Sequence, residues 1–136
     1  MPIENEAAIR DILTTAKTIA VIGASTKPWR DSNSIMQYLM DRGYTVYPVN
    51  PSYETVLGQR CFPDVASIPD GVDIVDVFRN PEGVPEVVDD ALAANAKILW
   101  LQLGVVHQEA AKKAEEHGLQ VIMDHCIAID HRRLLR

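Results

Sequence analysis

Short apolar segments alternate with segments of helical spacing along most of this sequence. The first apolar segment, 18–23, ends in a glycine, as a buried parallel strand does where it leads into a tight turn. Four more follow at 44–50, 74–78, 98–103 and 121–123. Because parallel strands are joined by crossovers that usually contain a helix, this alternation predicts an α/β fold: a single doubly wound parallel sheet of about five strands with helices on both faces.

The predicted helices carry apolar residues on one face. They span 4–17 and 32–42, and two more form around 84–92 and 110–114. The segment 52–71 contains several glycines and prolines and is predicted to be a loop with a short hairpin or a helical turn. Right-handed crossovers then predict the strand order 3-2-1-4-5, with the strands numbered along the chain.

Length, composition and cysteine content indicate one cytoplasmic domain. The 136 residues contain neither an internal repeat nor a linker, so we predict a single domain over 1–136. A content of 47% hydrophobic and 24% charged residues is that of ordinary soluble proteins. The segment 1–13 is charged and lacks the apolar core of a secretory signal. Cys61 and Cys126 are too few for a disulfide framework, and the cytoplasm would keep both reduced.

The charge balance disfavours nucleic acid as a partner but allows a small anionic ligand. The formal net charge is −6, which opposes broad attraction to nucleic acid phosphates. A small anion needs only a local group of donors, and the backbone amides at a helix N-terminus supply them.

The turn after the first strand has the composition of a phosphate-binding site. Its small residues allow the backbone to approach a ligand, its polar side chains offer hydrogen bonds, and its cations neutralise charge. These residues are Gly23, Ala24, Ser25, Lys27, Arg30 and Asn33. The alternative is an ordinary strand-to-helix turn in which Ser32 or Asn33 is the N-cap.

Two features disfavour NAD as the ligand of this turn. Gly23 stands alone where the dinucleotide fingerprint has three glycines. The second strand ends at Asn50 and Pro51, where an NAD-binding domain has an acidic residue for the ribose hydroxyls.

The third and fourth strand ends contribute further candidates. Arg79 is positioned to meet a phosphate, and Phe78 is positioned to flank a ligand ring or arm; the alternative is a surface arginine. Gln102 and Gly104 follow the fourth strand, and the glycine either permits close approach of a ligand or makes a simple turn.

His125 and Cys126 follow the fifth strand and are not predicted to be catalytic. Adjacent side chains on an extended segment point to opposite sides, so His125 is poorly placed to activate Cys126. With Asp124 they also make a poor metal site, because no partner cluster accompanies them. We predict a packed, weakly reactive Cys126, and we assign no catalytic residue and no metal ligand.

The other histidines and the tryptophans have structural interpretations. His107 is predicted to lie in the first turn of a helix, and His117 and His131 on solvated helical surfaces. Trp29 is predicted to anchor a loop, and Trp100 to pack beneath a helix.

Taken together, the strand ends resemble those of the small CoA-binding proteins, a family that shares its Rossmann-like fold with the CoA-binding domain of the succinyl-CoA synthetase alpha subunit. The matching segments are 21–25, 47–51, 75–79, 100–105 and 124–126. The resemblance covers almost the whole chain, and five matches in order are more specific than any one of them.

The resemblance implies that CoA lies across the strand ends. The turn at 23–27 and the helix that begins near Asn33 would receive its phosphates, together with Arg79. Asn50 and Pro51 would border the nucleotide.

The same resemblance implies roles at the far side of the sheet. Gln102, Gly104 and the segment around Cys126 would lie near the same cleft, while His107 stands where relatives often have a helix-capping asparagine.

The predicted function is a standalone, non-catalytic module that binds CoA or acyl-CoA as a carrier, sensor or presenter. The synthetase needs a second domain, a phosphorylated histidine and a partner subunit, for which this chain has no room. The alternatives are an NAD(P)-dependent or acyl-CoA-processing enzyme, and redox regulation through a mixed disulfide between Cys126 and CoA. We predict neither a nucleic acid nor a membrane partner, and no segment indicates a particular protein partner or oligomeric state.

Overall fold

The central feature of the fold is a sheet of five strands, accompanied by a separate two-stranded hairpin. A computed structural model of the chain describes residues 1–135. In chain order the elements are α1 (Glu6–Thr15), β1 (Thr18–Ile22), α2 (Asp31–Asp41), β2 (Thr45–Val49), β3 (Thr55–Val56), β4 (Gln59–Arg60), β5 (Ile74–Val77), a 3-10 turn (Pro81–Gly83), α3 (Val84–Ala93), β6 (Ile98–Leu101), α4 (Gln108–Glu116), β7 (Gln120–Met123) and α5 (Ile127–Leu134). The five predicted strands agree with these bounds to within two residues.

The strands of the large sheet lie in the order β2-β1-β5-β6-β7, all parallel. For the five predicted strands this order is 2-1-3-4-5, so the predicted 3-2-1-4-5 is wrong. All four residues of β5 are buried, which requires a neighbouring strand on each side and helices on each face. β2 contains Pro48, which has no backbone N–H to donate, and begins at the exposed Thr45, so it lies at the edge.

Two helical layers cover the sheet. Helices α1, α2 and α5 pack on one face through residues such as Leu13, Met36 and Ile127. Helices α3 and α4 pack on the other face, where Val88 and Ala111 are buried. This arrangement confirms the predicted doubly wound sheet with helices on both faces.

Trp100 and Asp76 belong to the face of the sheet covered by α1, α2 and α5. Trp100 is fully buried in that core, as predicted. Its strand neighbour Asp76 alternates with Val75 and Val77, which pack against the opposite layer, so the Asp76 side chain faces the same layer as Trp100.

The hairpin β3–β4 occupies the segment predicted to contain either a hairpin or a helical turn. Phe62, just after the hairpin, donates its N–H to the Pro48 carbonyl at 2.9 Å and accepts the Asn50 N–H at 2.9 Å. These bonds cover part of the free edge of β2 and hold Asn50 in place.

His131 on α5 is buried, with 7% of its surface exposed, so its predicted solvated position is wrong. Its Nδ1 lies 2.8 Å from the Tyr38 hydroxyl on α2, and its ring meets Tyr44 edge-on. Burial, and then the nearby Arg42 charge, lower the pKa of His131. A neutral His131 therefore ties α5 to α2. His117 is exposed, as predicted.

Candidate functional site

A cleft of about 920 Å³ lies beyond the carboxyl ends of the sheet strands. Crevices at this edge of an open parallel sheet are where such folds bind ligands. Most of the predicted site residues line it: Gly23, Ala24, Ser25, Lys27, Arg30, Asn50, Phe78, Arg79, Gln102 and Cys126.

Three predicted site residues do not line the cleft. Asn33 is buried beneath the β1 turn, where its amide nitrogen donates to the Ser25 carbonyl at 2.8 Å. Pro51 is exposed just after β2. Gly104 donates its backbone N–H to the carboxylate of Asp124 at 2.7 Å.

The alternative in which Ser32 or Asn33 is the N-cap of α2 is wrong. The helix begins at Asp31, and its N-cap is Arg30, which makes no side-chain capping bond. Ser32 and Asn33 lie inside the first turn of the helix, where both are buried. The Asn33 amide cannot cap the helix because it is directed at the β1 turn instead.

Side chains from two neighbouring elements brace the β1 turn. Asn33 on α2 binds the Ser25 carbonyl, and Asn50 after β2 donates to the Ala24 carbonyl at 2.9 Å. Within the turn, the Lys27 N–H donates to the Ser25 hydroxyl at 3.1 Å. Two carbonyl oxygens of the turn are thus occupied by protein donors, which reduces the negative potential that an anion in the cleft would meet.

Gly23 lets the β1 and β5 loops come together. It has a φ of +88°, and a Cβ at this position would stand 2.6 Å from the Phe78 carbonyl oxygen. Its N–H donates to the Val49 carbonyl at 3.0 Å, and the Phe78 N–H donates to the Ile22 carbonyl at 2.9 Å. A side chain at position 23 would push Phe78 out of the cleft wall.

Three cations border the cleft around the β1 turn. Lys27, Arg30 and Arg79 are exposed, and within residues 1–135 none of them forms an ion pair with a carboxylate. Asp31 is the one acidic residue in the described lining. The lining is therefore positive although the whole chain carries a net charge of −6.

Tyr53 lines the same end of the cleft and was not predicted. Hydrogen bonding with the hydroxyls of Thr26 and Ser25 lowers the pKa of its phenol, and the charges of Lys27 and Arg30 act in the same direction. The lower pKa of Tyr53 therefore comes mainly from these hydrogen bonds, and the two cations add a smaller contribution.

The β6–β7 end of the cleft is uncharged. Its lining residues are Gln102, Leu103, Val105, Cys126 and Ile129. Gln102 is 5% exposed, and its Oε1 accepts the Ile127 N–H at 3.0 Å. The cleft thus runs from a cationic end at β1 to a neutral, largely apolar end at β6 and β7.

His125 and Cys126 diverge, as predicted. Cys126 lines the cleft, whereas His125 lies between two carboxylates, with Nδ1 2.7 Å from Asp130 and Nε2 3.1 Å from Glu4. Burial opposes protonation of His125, but the hydrogen bonds to Glu4 and Asp130 outweigh it and raise its pKa. Cys126 is only partly buried, so the prediction of a packed Cys126 is wrong.

Several lining residues were absent from the sequence prediction: Trp29, Asp31, Ser32, Ile35, Tyr53, Asn80, Leu103, Val105 and Ile129. Most of them are next to a predicted residue in the sequence. Their position close to a strand end is therefore the sequence feature that could have predicted them. Trp29 is 76% exposed at the cleft and does not anchor a loop. Tyr53 lies in the loop after β2 and Ile129 lies in α5, and no sequence pattern assigned either to the site.

Metal binding and membrane insertion are two further properties on which the described residues bear. Among residues 1–135, no cluster of three or more histidine, cysteine or acidic side chains is arranged to hold a metal ion. No helix in this part of the chain combines the length and apolar character needed to cross a membrane.

The family model of the CoA-binding domain matches residues 17–132, a range that contains all five strands of the sheet and the cleft. The chain belongs to the CoA-binding domain family. This membership confirms the resemblance predicted from the five strand-end segments.

Two proteins of similar length and a segment of a larger enzyme are similar to the chain. It is 39% identical over 127 residues to the uncharacterized protein YneT of Bacillus subtilis, covering 93% of this chain and 94% of that one. A solved hypothetical protein from Pyrococcus horikoshii is 46% identical with a TM-score of 0.96, covering 100% and 97% of the two chains. An ADP-forming acetate–CoA ligase of Archaeoglobus fulgidus is 30% identical over 123 residues, but the match spans only 18% of that enzyme.

Proposed function

We propose that the cleft binds CoA or acyl-CoA, and that the chain acts in the cytoplasm as a single-domain, non-catalytic module that carries, senses or presents this ligand. One observation carries the proposal: one end of the cleft has three cations that form no ion pair with a carboxylate of residues 1–135, and the other end has an uncharged wall. CoA has the matching asymmetry, with phosphates at one end and a neutral arm that ends in a thiol.

The cationic end suits the nucleotide and its phosphates. The glycine turn after β1 offers backbone close to the ligand, and Lys27, Arg30 and Arg79 offer charge-assisted hydrogen bonds. The exposed ring of Trp29 and the partly buried ring of Tyr53 line the same region and offer faces on which an adenine can stack.

The histidines support a binding role rather than catalysis. His107 is the N-cap of α4 and accepts the Ala110 N–H at 3.0 Å, so it performs the capping role expected at its position. His117 bonds to its own helix, His125 to two carboxylates and His131 to Tyr38. No histidine is among the residues that line the cleft in the described chain. The ligase activity of larger relatives belongs to enzymes several times this length.

Calorimetric titration of the ligand-stripped protein with CoA, acetyl-CoA, NAD and ADP is expected to show selective, saturable binding of CoA or its thioester. Arg79→Ala should weaken that affinity about 10- to 100-fold, because it removes a charge-assisted hydrogen bond to phosphate. Lys112→Ala is the matched control, since Lys112 lies on α4, outside this cleft, and also carries one positive charge.

Two results would contradict the proposal. Selective binding of NAD would assign the cleft to a dinucleotide and favour an oxidoreductase. Equal affinity for CoA in Arg79→Ala and Lys112→Ala would show that the ligand lies elsewhere.

Asn33→Ala is expected to weaken CoA binding several-fold and to lower the free energy of unfolding by about 1–2 kcal/mol, because it leaves the buried Ser25 carbonyl without its donor. Ser34→Ala removes a neighbouring side chain that is exposed and bonds only to the Asp31 carbonyl, so it should change neither quantity. Chemical denaturation and calorimetry of both variants make the comparison. A normal CoA affinity in a measurably destabilised Asn33→Ala protein would exclude the bracing role of Asn33 in binding.

A further inference from the structure

We infer that Cys126 forms a reversible mixed disulfide with the thiol of CoA held in the cleft. The inference rests on the proposed function and adds to it a covalent site for one class of ligand, CoA and its disulfide. Cys126 lines the neutral end of the cleft and is a free, partly buried thiol.

The reach of the ligand brings its sulfur to this cysteine. From β1 the sheet continues through β5 and β6 to β7, so the β1 turn and the β7 end are three strand spacings apart, or about 14 Å. The chain of bonds from the pyrophosphate of CoA to its sulfur is as long as four extended residues, about 13–14 Å. A CoA whose phosphates lie at Lys27 and Arg30 therefore places its thiol beside Cys126.

Gln102 offers a ligand a hydrogen-bond donor at this end of the cleft. Its Oε1 accepts the Ile127 N–H, which fixes the orientation of the amide and directs the NH₂ group elsewhere. Gln102 is 95% buried and lines the cleft, yet within the described residues its Nε2 has no protein acceptor. The fully enclosed polar atoms without a partner in the described chain do not include this Nε2, so it is open to the cleft. A carbonyl of the CoA arm next to Cys126 can accept its hydrogen bond.

The end of the cleft at Cys126 is open enough for a disulfide reactant. Leu103 is 64% exposed and Ile129 is 51% exposed, and both line the cleft together with Cys126. One half of a CoA disulfide can therefore occupy the cleft while its other half extends into solvent through this opening.

The step is a thiol–disulfide exchange whose atoms and electrons balance. The Cys126 thiolate attacks one sulfur of CoA disulfide, the sulfur–sulfur bond of that reactant breaks, and a bond forms between Sγ of Cys126 and the CoA sulfur. The second CoA leaves as a thiolate and takes up the proton that Cys126 released. CoA disulfide is the oxidant, and a small thiol reverses the reaction by the same exchange.

Cys61 provides a control within the same chain. It is buried, its thiol donates to the Asn50 carbonyl at 3.4 Å, and burial raises its pKa. It does not line the cleft. A disulfide reagent reacts with a thiol that it can reach, and faster when it is bound beside that thiol. It should therefore modify Cys126 and leave Cys61 unmodified.

The test is intact mass spectrometry with peptide mapping after incubation with CoA disulfide or with pantethine, which has the same reacting bond but no nucleotide. We expect one reducible CoA adduct, located on Cys126, retained in Cys61→Ser and absent in Cys126→Ser. Serine is a favoured N-cap, and Cys126 is the N-cap of α5, so the last variant should fold. CoA disulfide should react at least about tenfold faster than pantethine, and Arg79→Ala should remove this advantage.

The outcomes separate this inference from the proposed function. Calorimetric binding of reduced CoA without any adduct on Cys126 would overturn the inference and leave the binding function intact. An adduct that persists in Cys126→Ser, or equal rates with CoA disulfide and pantethine, would likewise overturn it. If reduced CoA does not bind at all, the proposed function itself is contradicted, and the inference that rests on it is contradicted with it.

Discussion

At pH 4, Asp76→Val is expected to raise the free energy of unfolding by about 1–3 kcal/mol, because it removes a buried carboxyl group that lacks a hydrogen-bond partner among the described residues. Asp76 is fully buried on β5, between Val21 and Trp100 on the adjacent strands. Within the described residues, neither of its carboxyl oxygens has a hydrogen-bond partner. Valine is apolar, β-branched and similar in size, so it suits a buried strand position.

The same residue gives stability a distinct pH dependence. Burial raises the pKa of Asp76 well above its ordinary value. The native state therefore keeps a proton that the unfolded chain releases as the pH rises above the ordinary carboxyl pKa. The contribution of Asp76 to stability is fully present below that pKa and falls by about 1.4 kcal/mol per pH unit until the native pKa is passed.

Urea denaturation between pH 4 and 8 of the wild type, Asp76→Val and Asp76→Asn would measure both effects. Asparagine keeps the polar shape but does not titrate, so its advantage over the wild type should grow with pH, while Asp76→Val should be more stable than Asp76→Asn throughout. Asp11→Asn, on the exposed surface of α1, is the control for removing a carboxylate. A difference between the wild type and Asp76→Asn that does not change with pH would mean that Asp76 has the same pKa in the native and unfolded states, and that burial does not raise it.

Gly23→Ala is expected to lower the free energy of unfolding by about 2–5 kcal/mol, the sum of a strained backbone and an overpacked contact. The added Cβ would stand 2.6 Å from the Phe78 carbonyl oxygen at a φ of +88°. Because that oxygen belongs to the backbone, the contact is relieved only by moving the start of the β5 loop. The displaced Phe78 and Arg79 would also reduce CoA affinity.

Gly43→Ala separates the two contributions. Gly43 has a similar φ of +95°, but a Cβ there would meet nothing within 4 Å, so its cost is that of the backbone alone. Thermal or chemical denaturation of both variants should show the larger loss for Gly23→Ala, and calorimetry should show a loss of CoA affinity for that variant only. Equal destabilisation by the two substitutions would mean that the approach of Phe78 to position 23 does not constrain the fold.

Local sequence patterns determined the elements of this protein. Each sheet strand is a short apolar run, and each long helix between strands has an apolar face, so the bounds follow from burial periodicity within a segment. Because the carboxyl ends of parallel strands share one edge of a sheet, the same patterns brought the residues after five separate strands to one cleft. Arg79 and Cys126 could be placed there without knowing the strand order.

The tertiary structure alone decided relations between segments that are distant in the sequence. β5 lies at the centre of the sheet and β2 at its edge. Which strand pairs with neighbours on both sides is decided only when the whole sheet assembles. The amide of Asn33 serves the Ser25 carbonyl rather than a helix cap, and Gln102 meets Ile127, because packing brings these groups together. His131 carries no sequence signal for burial; it becomes buried because α5 docks on α2 against Tyr38. The periodicity of a segment shows which of its side chains face the core and which face solvent. The partner of a given side chain depends instead on interactions that arise only when segments far apart in the chain come into contact.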